Sequence, residues 1–190
     1  LRKIFGHRGL PNLYPEYSFL SLNKALEICD FVETDVRITK DKELILFHDP
    51  TINNQKIEDL SLQEISDIKN TDLSEIHLTS KDQILGNVNF ELKVNNKHDT
   101  LNAIFVEKII ELAHREDIVS SFDWGIILSN REKFNSRYGI LIDEENQLFE
   151  SKAISNLDDN LMFMIQKDIF DSRKFDLPKD KCVVWTVNDK

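Results

Sequence analysis

The sequence predicts an α/β fold in which helices cover a mainly parallel β-sheet. Short apolar runs alternate with segments of helical periodicity along most of the 190 residues, an alternation typical of βαβ units. Seven of the runs are candidates for parallel strands: residues 3–7, 31–36, 88–93, 118–121, 138–142, 161–165 and 182–187. Seven strands fit an open doubly wound sheet, whereas a closed (β/α)8 barrel needs one more strand and typically about 250 residues. Periodicity does not decide between these two folds.

The first part of the chain predicts a strand, a helix and a hairpin. After the first strand, apolar residues recur at helical spacing from Phe19 to Cys29, which predicts a helix. The second strand, 31–37, is followed by turn residues at 39–42 and by a further apolar run at 44–48. This arrangement predicts that the run at 44–48 returns antiparallel to the second strand.

Capping signals and apolar periodicity predict the remaining helices. Ser61 and Glu64 have the spacing of a capping box, in which each side chain bonds to the backbone of the other residue. Leu62, Ile65 and Ile68 supply the apolar face of the helix that begins there. The later helices are predicted at 99–115, 124–134, 144–153 and 168–175.

Composition and charge narrow the functional class. The chain is 41% hydrophobic, which is enough for one core and predicts a single domain over residues 1–190. Its net charge of -10 disfavours binding to nucleic-acid phosphates and to anionic membrane surfaces. No apolar run approaches the roughly 20 residues of a membrane span, and the first residues hold no signal-peptide core. Cys29 and Cys182 lack metal-like spacing, so we expect a reduced, cytoplasmic protein. From its charge and its short apolar runs, we expect neither nucleic-acid partners nor membrane insertion. The sequence does not define the oligomeric state.

Two carboxylates on one face of the second strand raise the first functional question. Glu33 and Asp35 are two residues apart, so in a strand their side chains point the same way. Carboxylates held so close repel each other unless a cation lies between them. An exposed edge strand would solvate both, but the flanking residues are too apolar for such an edge.

Charged and titratable residues also lie at the ends of other strands. The first strand ends in His7-Arg8, the hairpin return in His48-Asp49, and the third parallel strand in Glu91-x-Lys93. Because α/β proteins build their sites at the carboxyl ends of parallel strands, we expect these side chains to converge. Taken singly, each has a structural alternative: a lone histidine is more often a buried core residue, and Glu91 with Lys93 also fits a simple ion pair.

Together these residues have the composition of a metal-assisted phosphate site. Glu33, Asp35 and Glu91 offer hard oxygen ligands, which suit Mg2+, Ca2+ or Mn2+ better than zinc. A divalent cation would relieve the repulsion between the carboxylates, while Arg8 and Lys93 supply positive charge for a phosphate. The two histidines can act as acid and base near neutral pH.

These residues lie in motifs that resemble the glycerophosphodiester phosphodiesterases. The family pattern begins with H-R-G, P-E-N-T or P-E-N-S, E-x-D-V-x-x-T-K-D and, after a short apolar run, H-D. In this chain the same order reads H-R-G at 7–9, P-E-Y-S at 15–18, E-T-D-V-R-I-T-K-D at 33–41 and H-D at 48–49. Further similarities are F-E-L-K at 90–93, S-S-F at 120–122 and W-T-V-N at 185–188. The resemblance therefore runs over residues 4–188, essentially the whole chain.

The resemblance implies a (β/α)8 TIM barrel of the phospholipase-C-like phosphodiesterase type that hydrolyses glycerophosphodiesters to glycerol 3-phosphate and an alcohol. It implies catalytic roles for His7 and His48, phosphate binding by Arg8 and Lys93, and a divalent metal ion (Mg2+, Ca2+ or Mn2+) held by Glu33, Asp35 and Glu91. Glu16 matches the motif glutamate, and Phe122 and Trp185 match aromatic positions near the barrel mouth, so these three are expected in or around the site. The nucleophile is either the substrate's own glycerol hydroxyl, which gives a cyclic phosphate that is then hydrolysed, or water.

The chain departs from the family pattern at three places. Tyr17 stands where the family has asparagine, which puts a bulky phenol in place of an amide near the predicted site. The segment after Asp49 is short and lacks the arginine usual there. The chain also stops at Lys190, before the last helix and eighth strand of the family. An open barrel would expose two sheet edges, so we expect residues to be missing after Lys190. For the short loop near Asp49 we likewise expect missing residues.

Two other functions remain open at this point. A lysophospholipase D-like enzyme would use the same site on lysolipids, but it would need an exposed apolar patch at the mouth, and the net charge of -10 weighs against it. A non-catalytic barrel that binds phosphodiesters or a protein partner is favoured only by Tyr17 and the short loops. The retained site residues argue against this second alternative.

Overall fold

Parallel strands follow one another in chain order in the main sheet. The computed structural model describes residues 3–70, 73–95, 99–172 and 177–187. The strands are β1 (Phe5–His7), β2 (Phe31–Ile38), β3 (Leu44–Leu46), β4 (Thr51–Ile52), β5 (Gln55–Lys56), β6 (Asn87–Leu92), β7 (Ile118–Ser121), β8 (Arg137–Ile142), β9 (Leu161–Gln166) and β10 (Cys182–Trp185). The helices are α1 (Phe19–Ala25), α2 (Leu62–Lys69), α3 (Asp99–Leu112), α4 (Trp124–Asn130), α5 (Glu145–Ala153) and α6 (Lys167–Ser172). The sheet order is β1-β2-β6-β7-β8-β9-β10; β3 pairs antiparallel with β2, and β4 pairs with β5 in a separate hairpin.

The order of the parallel strands separates the two folds that periodicity leaves open. A doubly wound sheet reverses its strand order at a switch point. Here each parallel strand pairs with the next parallel strand along the chain, from β1 to β10, as in a (β/α) barrel. Within the described residues, β1 and β10 each have one paired neighbour, and no eighth parallel strand occurs.

The two faces of the sheet carry different side chains because successive strand residues alternate in direction. One face packs against the helices in a large core, in which Val32 of β2 joins Leu22 of α1 and Phe105 of α3. A separate cluster of buried residues comes from strands alone: Phe31, Ile118, Leu141, Met162 and Met164. This second face is therefore the interior of the curved sheet. Glu33 and Asp35 share it with Phe31, since they lie two and four residues further along β2.

The predicted parallel strands are confirmed, with each boundary within two residues of its predicted place. The capping box is also present, since Ser61 N donates to Glu64 Oε2 at 2.7 Å and the hydroxyl of Ser61 accepts from Glu64 N. Two later segments, residues 173–175 of the last predicted helix and Asn188 of the W-T-V-N motif, lie outside the described residues.

Three predicted helices are too long. α1 ends at Ala25, and the residues after it form a turn in which the amides of Ile28 and Cys29 both bond to the carbonyl oxygen of Ala25 before the chain enters β2. α3 ends at Leu112, and α4 ends at Asn130, where a short 3-10 turn replaces the predicted last residues. In the described part of the chain, no helix is both long enough and apolar enough to cross a membrane.

The β4–β5 hairpin is an element that the sequence analysis missed. Its two-residue turn is formed by Asn53 and Asn54, whose φ angles are +48° and +63°. Positive φ at both central positions is the geometry of a type I′ turn, and asparagine tolerates it better than most residues. The Asn-Asn pair between Ile52 and Gln55 was thus a usable hairpin signal.

A tight turn after β1 positions the His7-Arg8 pair. The backbone N–H of Arg8 donates to the carbonyl oxygen of Glu33 at 3.0 Å, which extends the pairing of β1 with β2. Gly9 has a φ of +84°, and a Cβ at this position would lie 2.5 Å from the Oγ of Ser21 and 2.8 Å from its carbonyl carbon. The Oγ of Ser21 also accepts the N–H of Leu10 at 2.9 Å, so the turn lies directly on α1. Glycine is the residue that fits this turn.

The substitution Gly9→Ala is expected to lower the free energy of unfolding by about 2 kcal/mol or more, because it combines a positive φ with contact against backbone atoms. Urea denaturation of both proteins measures this change. The matched control is Gly125→Ala in α4, where a Cβ would meet only Asp123 Oδ1 at 3.2 Å. Equal stability of the Gly9→Ala variant and the wild type would show that the turn is not constrained as described.

Candidate active site

Three carboxylates from neighbouring strands converge at the carboxyl end of the sheet. Glu33 and Asp35 lie on β2, and Glu91 lies on β6, directly opposite Asp35 in the strand register. One carboxylate oxygen from each residue lies within 4.8 Å of the other two. Asp35 and Glu91 are buried, and 12% of the Glu33 side chain is exposed. The parallel pairing of β2 with β6 thus brings the predicted ligands together.

When all three carboxylates are ionised, this cluster carries more negative charge than its surroundings neutralise. Burial raises the pKa of Glu33 well above its usual range, and the charges of Asp35 and Glu91 raise it further. Burial also raises the pKa of Glu91, although Lys93 acts in the opposite direction. The Oε1 atom of Glu33 is buried and has no hydrogen-bond partner among the described residues. A buried oxygen without a donor, beside two more carboxylates, is the donor set that Mg2+, Ca2+ or Mn2+ prefers, so the residues present fit a divalent cation.

Two positively charged side chains, those of Arg8 and Lys93, contact the cluster at different oxygens of Asp35. The Nε of Arg8 lies 3.2 Å from Asp35 Oδ2, and the Nζ of Lys93 lies 3.0 Å from Asp35 Oδ1. Lys93 also bonds to Glu91. Burial opposes the charge on Lys93, but the two carboxylates prevail and raise the pKa of its ammonium group. Glu16 lies beside Arg8 rather than in the cluster, with its Oε1 3.3 Å from Nη1 of Arg8.

The two predicted histidines lie at the rim, with nearly half of each side chain exposed. The Nε2 of His7 is 3.7 Å from Glu33 Oε2, so His7 faces the carboxylate cluster. Burial of the ring, and then the nearby charge of Arg8, lower the pKa of His7. The Nδ1 of His48 lies 2.9 Å from Asp49 Oδ1. If Nδ1 carries the proton in that hydrogen bond, Nε2 is the nitrogen left to face a bound molecule.

The predicted aromatic residues form a pair beside Lys93. The rings of Phe122 and Trp185 meet edge to face, with centroids 5.8 Å apart. The Nζ of Lys93 lies 5.5 Å from the centroid of the Phe122 ring. Trp185 is fixed by its indole N–H, which donates to the carbonyl oxygen of Met164 at 2.9 Å. Phe122 therefore borders the site directly, whereas Trp185 reaches it through Phe122.

Arg37 is a site residue that the sequence analysis missed. Its buried guanidinium donates from Nε to the carbonyl oxygen of His48 at 2.9 Å and from Nη1 to that of Lys93 at 3.4 Å. Arg37 therefore holds the backbone at His48 close to the backbone at Lys93, and both are predicted site residues. The usable signal was its phase, since Arg37 follows Glu33 and Asp35 at the same two-residue spacing on β2.

Tyr17 also contacts the carboxylate cluster. Its hydroxyl donates to Asp35 Oδ2 at 2.8 Å. Burial and the neighbouring carboxylate raise the pKa of Tyr17, so the phenol keeps its proton and remains a donor. The departure from the family motif at this position therefore lies inside the site.

Comparisons with known proteins agree with the motifs. Residues 7–190 match the model of the glycerophosphoryl diester phosphodiesterase family. The glycerophosphodiester phosphodiesterase of Bacillus altitudinis is 41% identical over 54 residues, which are 28% of this chain and 22% of that relative. Across the curated relatives, such matches span 20–28% of the relative's length.

Solved structures with similar folds confirm the predicted barrel class. The glycerophosphodiester phosphodiesterase of Thermotoga maritima superposes with a TM-score of 0.69 at 22% identity, covering 100% of this chain and 88% of that one. An Oleispira antarctica phosphodiesterase, solved in complex with the product sn-glycerol-3-phosphate, gives a TM-score of 0.71 at 20% identity, covering 100% of this chain and 86% of that one. At these identities the likeness establishes the fold.

The substitution Glu33→Gln is expected to stabilise the metal-free protein, because Gln keeps the shape of the side chain and cannot ionise. The folded state raises the pKa of Glu33. The stability of the wild type therefore falls as the pH rises from the pKa of Glu33 in the unfolded chain to its higher pKa in the folded protein. The gain of the variant should therefore be larger at pH 8 than at pH 5. If the relieved repulsion is roughly 1 kcal/mol, Tm in the presence of chelator rises by about 2–4 °C.

Differential scanning calorimetry at both pH values measures this effect. Glu111→Gln, an exposed position on α3, is the matched control and should leave Tm nearly unchanged. A lower Tm for Glu33→Gln at pH 8 would contradict the description of an uncompensated carboxylate.

Proposed function

Because this chain belongs to the glycerophosphoryl diester phosphodiesterase family, whose model it matches over residues 7–190, we propose that it hydrolyses glycerophosphodiesters to glycerol 3-phosphate and an alcohol with the help of a divalent cation. The structurally similar Oleispira antarctica phosphodiesterase was solved with the product sn-glycerol-3-phosphate, which supports this substrate class. The main support for the proposal is the buried carboxylate cluster, which the positively charged side chains of Arg8 and Lys93 contact.

The balance of charge in the site favours a phosphodiester. Glu33, Asp35 and Glu91 carry three negative charges when ionised, and Arg8 and Lys93 carry two positive charges. A divalent cation changes the sum from minus one to plus one, and a phosphodiester monoanion then brings it to zero. A phosphate monoester product with about two negative charges would leave an excess of negative charge, which favours its release.

The three carboxylates are the residues that would hold the cation. When bound, it would polarise the phosphoryl oxygens and neutralise charge that develops during the reaction. In its absence, repulsion between Glu33 and its two neighbours opposes the ionised state of the cluster.

Arg8 and Lys93 orient the phosphate in this proposal. Both are anchored on Asp35, so their positive groups lie on either side of one carboxylate. A guanidinium can donate two parallel hydrogen bonds to a phosphate, whereas an ammonium acts as a compact charge. Phe122, which lies against Lys93 and is 39% exposed, lines the mouth of the site.

His7 and His48 exchange protons with the reacting oxygens. One histidine accepts the proton of the attacking hydroxyl as its oxygen bonds to phosphorus, and the other donates a proton to the alcohol oxygen as its bond to phosphorus breaks. The same proton balance holds for attack by the glycerol hydroxyl, followed by hydrolysis of a cyclic phosphate, and for direct attack by water. Asp49 orients His48 through Nδ1, and Glu33 faces the ring of His7.

Turnover of glycerophosphocholine and glycerophosphoethanolamine tests the proposal. The full chain is assayed with Mg2+, Ca2+ or Mn2+ and with excess chelator, and glycerol 3-phosphate is measured by a coupled enzymatic assay. We expect metal-dependent release of glycerol 3-phosphate that falls at least about 100-fold in His48→Ala, the typical effect of losing an acid–base group. His114→Ala removes an exposed histidine two residues after α3 and is the matched control, with activity close to wild type.

Different failures of this assay have different meanings. Activity that persists in excess chelator would contradict the role of the cation. Turnover of lysophospholipids without turnover of glycerophosphodiesters would replace the proposed substrate with a lipid. Binding of glycerophosphodiesters by the folded protein without any product would indicate a non-catalytic barrel.

A further inference from the structure

Tyr17 lies in a backbone conformation that its side chain does not favour. Its φ is +66°, in the left-handed region that bulky residues rarely adopt. The side chain is nevertheless buried, with 7% of its surface exposed. A residue in such a conformation persists where surrounding contacts hold it, and such positions cluster at functional sites. The contacts of Tyr17 are therefore informative.

The phenol of Tyr17 distinguishes the two oxygens of Asp35. Oδ2 accepts the hydroxyl of Tyr17 at 2.8 Å and faces Arg8 Nε at 3.2 Å. Oδ1 is buried and lies 3.0 Å from the Nζ of Lys93, which also bonds to Glu91. Tyr17 thus engages Oδ2 as a neutral donor, and Oδ1 is the oxygen of Asp35 on the side of Lys93 and Glu91.

The ring of Tyr17 packs against the guanidinium of Arg8. The Cζ of Arg8 lies 5.5 Å from the ring centroid, within the range of a cation–π contact. Arg8 itself has a φ of +57°, so both residues adopt unusual backbone conformations beside the same carboxylate. An asparagine, the residue of the family motif, has neither a ring to support Arg8 nor the reach of a phenol.

We propose that Tyr17 is a positioning residue: its hydroxyl reserves Oδ1 of Asp35 for the divalent cation, and its ring holds Arg8 in place for the phosphate. This inference rests on the proposed function, since it assigns Asp35 to the cation and Arg8 to the substrate. It goes beyond that function because it gives a role to the position at which the chain departs from the family motif. Residues that orient a metal ligand typically change metal affinity or activity by about 10- to 100-fold when replaced.

Two substitutions separate the effects of the hydroxyl and the ring. Tyr17→Phe removes the hydroxyl and keeps the ring. We therefore expect about 10-fold weaker Mn2+ binding, and an unchanged KM for glycerophosphocholine at saturating Mn2+. Tyr17→Leu removes both groups, so KM for glycerophosphocholine should also rise by about two- to fivefold. Mn2+ affinity is measured by isothermal titration calorimetry without substrate, a measurement that does not depend on turnover.

Tyr14→Phe is the matched control, because it removes a phenolic hydroxyl from a partly exposed residue of the same loop. It should bind Mn2+ as wild type does. If Tyr17→Phe binds Mn2+ as tightly as the wild type, the role of the Tyr17 hydroxyl is overturned while the proposed function stands. If the wild type itself binds no Mn2+, both this inference and the cation of the proposed function are overturned.

Discussion

Repulsion among three buried carboxylates is the constraint on which the candidate site depends. Burial, and then the charges of Asp35 and Glu91, raise the pKa of Glu33, so its ionisation is opposed unless a counter-charge lies among the three carboxylates. Arg8 and Lys93 supply two positive charges, and both make their closest contacts with this cluster. The remaining negative charge gives the site its affinity for a cation and, through the cation, for a phosphodiester.

The fold concentrates this chemistry at one end of a curved sheet. Parallel strands in chain order place the carboxyl ends of β1, β2 and β6 side by side, so residues far apart in sequence meet. Elsewhere on the same interior face, Phe31 packs with other apolar side chains from the strands. The interior thus combines a packed region, which contributes stability, with a charged region whose groups oppose one another and cost stability.

Much of the site could be predicted because strand geometry is simple. The two-residue spacing of Glu33 and Asp35 is enough to place them on one face, and the motifs indicate which strand ends meet. The contacts of Arg37 and Tyr17 could not be predicted in this way, because they depend on distances between segments that no local periodicity defines. The choice between barrel and doubly wound sheet likewise required strand order, and the ends of α1 and α3 depended on turns rather than on apolar spacing.

A crystal structure of the protein grown with Mn2+, with anomalous scattering used to locate the ion, tests the candidate site most directly. We expect one strong anomalous peak bounded by oxygens of Glu33, Asp35 and Glu91, with Oδ1 rather than Oδ2 of Asp35 as the ligand. Metal–oxygen distances within about 2.0–2.6 Å are expected for a hard divalent cation. Electron density that shows the three carboxylates intact and no anomalous peak between them at saturating Mn2+ would contradict a cation site at this cluster.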